Sequence, residues 1–95
     1  MSGGHFDYRY NGIADFADQL KQELEVNNNK TVDRYGDTVG RNLSLDITYM
    51  LSEIQIWAEA AGEMAKQVDL LYSADIGEYK FKQRIDEILV KAERL

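Results

Sequence analysis

The chain has no cysteine, no proline and a single histidine among its 95 residues. Without cysteine there is neither a disulfide scaffold nor a thiolate zinc site, and no thiol nucleophile. A Ser-His-Asp triad would have to be built on His5 alone. Positive charge is also scarce, with 11 Lys and Arg against 17 Asp and Glu, a formal charge of −6. Nucleic acid and anionic lipid both repel an acidic mean field, so neither DNA, RNA nor a membrane is an expected partner. No uncharged apolar run reaches the roughly 18 residues needed to span a bilayer. No basic-then-apolar leader opens the chain, and Ser2 stands where N-myristoylation needs Gly. The cytoplasm is the expected compartment.

What is present is enough apolar material, 44% of residues, for one domain. Ile13, Phe16, Ala17, Leu20 and Leu24 share one helical face and predict a helix over 12–26. A longer stripe, Ile47, Met50, Leu51, Ile54, Trp57, Ala58, Ala61, Met64, Ala65, Val68, Leu71 and Tyr72, predicts a second helix over 44–72. That helix would be about 43 Å long, capped by Asn42 or Ser44. Gly62 within it offers a point of close approach for another helix. Phe81, Ile85, Ile88, Ala92 and Leu95, widened by Leu89, predict a third helix over 76–95, with Asp75 and Glu78 in capping-box register and Ser73 competing for the cap. The short connection folds it back antiparallel on the second.

Two segments fall outside the helices. In residues 1–11, Phe6, Tyr8 and Tyr10 alternate with His5, Asp7 and Arg9, the period of an extended strand. Residues 27–43 form a connection of a length that is often functional or ordered by a partner. The expected fold is therefore all-α: a three-helix hairpin or bundle with an extended aromatic N-terminal segment and a long loop between the first two helices. The middle helix outlasts both neighbours. Its stripe is expected either to be covered by them side by side or to pair with a second subunit, and a homodimer or higher homo-oligomer through this helix is the expectation.

Charge is not spread evenly. Residues 44–77 carry six acids and one base, net −5, whereas residues 1–43 carry seven acids and five bases. The acidic character thus belongs to the middle helix, and the cations Arg9, Lys30, Arg34 and Arg41 lie in the two non-helical segments.

No complete catalytic or metal constellation emerges, so neither an enzyme nor a cofactor is expected. His5 with Asp7 is an incomplete metal shell, and after loss of Met1 the histidine would be fourth from the amine rather than third, as an amino-terminal copper site wants. Glu59 and Glu63 lack the Glu-x-x-His partners of a di-metal bundle. Gly36-Asp37-Thr38-Val39-Gly40-Arg41 has the wrong spacing for a P-loop and no Lys-Ser/Thr pair. It reads as a turn-rich connection whose amides and Arg can also cradle an anion. The ring-rich segment reads either as a strap over the core or as a stacking surface for a planar ligand.

The segments Ser2-Gly3-Gly4-His5-Phe6-Asp7-Tyr8, Gly36-Asp37 with Val39-Gly40-Arg41, and Tyr72-Ser73-Ala74-Asp75-Ile76-Gly77-Glu78 resemble those of a family of small phage and bacterial proteins. Its members open with a similar Ser-Gly-Gly-His-Phe segment and carry a Ser-Gly-Asp-like turn near the third helix; Ala74 stands here where Gly is expected. The resemblance implies no established activity, but a phage setting suggests a counter-defence role in the host cytoplasm. The first expectation is an oligomer that sequesters a small nucleotide signal. His5, Tyr8, Tyr10 and Tyr35 would supply stacking faces, while Arg9, Lys30, Arg34 and Arg41 would meet phosphates. The alternatives are an acidic inhibitor that docks its middle helix on a host defence protein, and an assembly module with no ligand.

Overall fold

In the computed structural model, which describes residues 4–94 (the backbone alone at 94), three helices follow one another: α1 (Tyr10–Glu25), α2 (Leu45–Tyr72) and α3 (Glu78–Arg94). The all-α expectation holds, and each helix lies within two residues of its predicted bounds, apart from the single position at the chain end that falls outside the described residues. Leu95, counted on the third seam, lies outside them too.

Both α1 and α3 pack on α2, and among the described residues they make no packing contact with each other. The result is a hairpin on each side of α2 rather than a closed bundle. The molecule measures 52 × 29 × 12 Å, and its shortest dimension is one helix diameter. The three helices therefore form a single layer with α2 in the middle.

The flank of α2 that receives α1 is built from Gln55, Gly62, Asp69 and Ser73, all buried. A Cβ at Gly62 would lie 3.3 Å from the backbone nitrogen of Ala14 and 3.5 Å from its Cα, so the glycine does set the spacing of α1 on α2. On the other flank Ala60 is buried, and Ala92 of α3 is buried on the seam that faces it. Arg84 of α3 reaches back to donate to Gln67 Oε1 at 3.0 Å. Among the described residues, Ala17, Ala60 and Ala92 are the buried hydrophobic ones. The long stripe of α2 is not among them.

Three local expectations are corrected. Residues 5–9 are not extended but form consecutive turns, with Asp7 N–H bonded to Gly4 O at 3.0 Å and Arg9 N–H to Phe6 O at 3.2 Å. These turns feed into α1, which begins at Tyr10. Ser44 occupies the cap position of α2, but its side chain makes no capping bond. At α3, the Phe81 N–H bonds to Gly77 O at 3.0 Å, which makes Gly77 the cap and takes Asp75 and Glu78 out of capping-box register.

The connection over residues 26–44 orders itself. Val39 N–H bonds to Thr31 O at 2.8 Å and Asp33 N–H to Asp37 O at 2.8 Å, around an isolated Val32–Thr38 bridge. Buried Asn27 ties its two ends, accepting from Leu43 N–H at 3.0 Å and donating to Leu43 O at 3.3 Å.

α2 ends in a Schellman arrangement: Ala74 N–H bonds to Leu71 O at 3.1 Å and Asp75 N–H to Leu70 O at 2.9 Å. This places Ala74 in the left-handed region, at φ +62°, where a Cβ costs about 1–2 kcal/mol. Ala74→Gly is therefore expected to stabilise the chain by about 1 kcal/mol. The gain should appear as a raised urea midpoint at unchanged slope.

Candidate functional site

The N-terminal turns are held against the end of α2 by one carboxylate. Asp69 is 1% exposed, and its Oδ1 accepts from Gly4 N–H at 2.7 Å, from His5 N–H at 2.9 Å and from the Ser73 hydroxyl at 3.1 Å. Ser73 Oγ in turn accepts from His5 N–H at 3.1 Å. Oδ2 is also buried and has no partner among the described residues.

Burial acts to raise the pKa of this carboxyl. The bonds from Gly4 N–H, the Ser73 hydroxyl and His5 N–H, helped by Phe6 N–H, favour the anion and prevail, so the pKa is held below its ordinary value of 3.8. A buried charge is tolerated only with such partners. Apart from the Ser73 hydroxyl they are backbone donors of a segment some 65 residues away in sequence, so Asp69 fixes where that segment lies.

The segment can follow this path because Gly4 adopts φ +96° and lies under the Tyr8 ring, where an added Cβ would stand 3.0 Å from the Tyr8 hydroxyl. Asp7 and Tyr8 also take positive φ, at 55° and 56°. Such values are uncommon for side-chain-bearing residues, and a run of them marks a segment shaped by its surroundings.

The consequence is a cluster of rings on the surface. His5 lies 4.7 Å from Phe6 and 5.3 Å from Tyr72, and Phe6 lies 5.3 Å from Tyr72, centroid to centroid. All three are exposed. Tyr8 and Tyr10 form a neighbouring edge-to-face pair at 6.1 Å, and Arg9 between them is exposed. Of the predicted site residues, His5, Tyr8, Arg9 and Tyr10 thus share the run of residues that leads into α1, where His5 stands with Phe6 and Tyr72, and Tyr8 with Tyr10.

Lys30, Arg34, Tyr35 and Arg41 belong elsewhere. They lie on the loop beyond the far end of α1, and sixteen helical residues, about 24 Å, separate the two groups within one chain. Arg34 sits over Tyr35 at 5.0 Å from the ring centroid. The Asp33 carboxylate accepts from Tyr35 N–H at 2.8 Å and Asp37 N–H at 3.1 Å. The groove that Arg41 lines also holds Glu23, Asp33 and Asp37, and three carboxylates to one guanidinium make it a poor receptor for phosphate.

Two residues of the site were missed by the pattern of the sequence. Tyr72 falls on the α2 stripe and reads as core. Asp69 interrupts the apolar run Val68-Asp69-Leu70-Leu71, which is the one signal that a charge would be buried there. Among the described residues no group of three or more His, Asp or Glu stands close enough to hold a metal ion, and no helix is long and apolar enough to cross a membrane. Comparison with known proteins gives no match to a family model, to a curated protein or to a solved structure.

Proposed function

We propose that this chain is a non-catalytic binding protein that captures a small nucleotide signal, in the counter-defence role suggested by its resemblance to phage proteins. The observation that carries the reading is the exposed His5–Phe6–Tyr72 cluster, clamped in place by a buried carboxylate. Rings left open to solvent at fixed mutual distances suit a planar base, whose stacking on an aromatic face is worth about 1–3 kcal/mol. Arg9, in the same run of turns, is the cation for a phosphate, with a planar fork matched to phosphate oxygens. The loop cations are not needed for this one-chain site.

Calorimetric titration with cyclic dinucleotides and with cyclic ADP-ribose isomers tests the reading. One of these classes should bind at one molecule per chain. Tyr72→Ala should weaken binding by roughly 5–150-fold, and Arg9→Ala should weaken it while reducing its dependence on salt. No heat from either class, or undiminished heat from both variants, overturns the reading.

A further inference from the structure

The stripe that dominates the sequence of α2 is left open by the fold. Ile47 is 43% exposed, Met50 58%, Ile54 51% and Trp57 46%, and along the same face Ala61, Met64, Ala65 and Val68 are only half-buried. The reason is geometric: α1 and α3 take the two flanks of α2, and the stripe faces out of the layer between them.

The chain as a whole exposes more surface than a compact chain of its mass. The chain exposes 7195 Å², whereas a compact chain of 10.9 kDa exposes about 5,600 Å². Its radius of gyration is 17.1 Å, against about 12 Å for a compact domain of this length. The excess, about 1,600 Å², falls within the roughly 1,000–2,500 Å² that each partner of an obligate dimer buries.

We infer that a second copy of this chain covers the stripe, with the two α2 helices antiparallel about a two-fold axis near Ala58 and Ala61. The face suits itself in that orientation. Small Ala58, Ala61 and Ala65 lie at its middle and let the helices approach, while Met50, Ile54 and Trp57 of one copy meet the Met64–Val68 half of the other. A parallel pair would set Glu53 beside Glu53. The antiparallel pair separates these two acids by about 18 Å along the axis, beyond the screening length of about 8–10 Å in ordinary salt.

Full overlap brings Leu45 of one copy level with Tyr72 of the other. The ring cluster of each copy then shares an end of the dimer with the start of the partner's α2, just after Arg41. The pairing stands on the uncovered stripe and not on the ligand reading, and it is measured without nucleotide.

Sedimentation of the full chain at high micromolar concentration should give twice 10.9 kDa, and the double substitution Ile54→Glu with Trp57→Glu should abolish the doubling. Because the chain has no cysteine, single thiols report the orientation whatever the charge variant does. A mixture of Met50→Cys and Val68→Cys chains should be joined by a short bis-maleimide, and Met50→Cys chains alone should not. A wild-type mass other than two chains overturns the pairing. Cross-linking of Met50→Cys to itself, or none in the mixture, overturns its antiparallel form.

Discussion

Replacing Asp69 by Ala is expected to release the N-terminal turns and with them the ring cluster. The substitution removes the acceptor of Gly4 N–H, His5 N–H and the Ser73 hydroxyl at once. Donors stripped of a charged partner are costly to keep buried, so the segment should leave the end of α2 and become solvated. α1, α2 and α3 do not depend on these bonds for their own hydrogen bonding, and the far-ultraviolet circular dichroism should stay helical. Limited proteolysis at Phe6 and Tyr8 should accelerate on the order of tenfold or more, since cleavage follows the population of the open segment. Asp69→Asn keeps one acceptor oxygen and should lie between the two. Unchanged cleavage in Asp69→Ala would mean that the carboxylate does not hold the segment.

The same bonds give a pH dependence whose sign is fixed. The folded pKa of Asp69 lies below the ordinary 3.8, so the anion is favoured in the folded chain. Its contribution is fully present above the ordinary value and is lost as pH falls from there through the folded value. Proteolysis with an acid-active enzyme should show the N-terminus loosening below about pH 4, and Asp69→Asn should flatten that response.

Gly40→Ala is the second large effect. A Cβ at Gly40 would run into the backbone carbonyl oxygens of Val26 and Asn27, where the loop returns across the end of α1. Gly40 N–H is bonded there to Asn29 O at 2.8 Å, and Asn42 N–H to Asn27 O at 2.8 Å. Backbone atoms cannot swing aside as a side-chain tip can, so the loop must lift and forfeit these bonds. A cost of about 3 kcal/mol is expected, the upper part of the range for forced overpacking. In a domain of this size that lowers the thermal midpoint by roughly 10–20 °C. Calorimetry of the variant measures it directly; a midpoint within a degree or two of wild type would contradict the tight crossing.

The helices were legible because α1, α2 and α3 each carry apolar residues at helical spacing, and spacing alone marks a helical face. It does not say what that face meets. The α2 stripe looks like core by every local criterion, yet α1 docks on the flank that carries Gln55, Gly62, Asp69 and Ser73, and α3 on the flank that carries Ala60. Small and hydrogen-bonding residues at seven- and four-residue intervals make a docking surface too, and an apolar count does not see them. The alternation of rings over Phe6, Tyr8 and Tyr10 suggested an extended strand because period two is the signature of one. The bonds to Asp69 and the positive φ of Gly4 bend it instead, and neither is local to the segment. For the same reason half of the candidate site was found in the sequence and its anchor was not: the cations and rings are conspicuous, but their division between two ends of α1 is a tertiary fact.

The proposed binding face is the ring cluster at the end of α2. A nuclear magnetic resonance titration of the labelled chain with cyclic dinucleotides and cyclic ADP-ribose isomers tests it most directly, since it reports location as well as binding. Saturable shifts are expected at His5, Phe6, Arg9 and Tyr72, lost in Tyr72→Ala. Absence of shifts with every nucleotide, or shifts confined to the loop over residues 26–44 while the ring cluster stays silent, would contradict it.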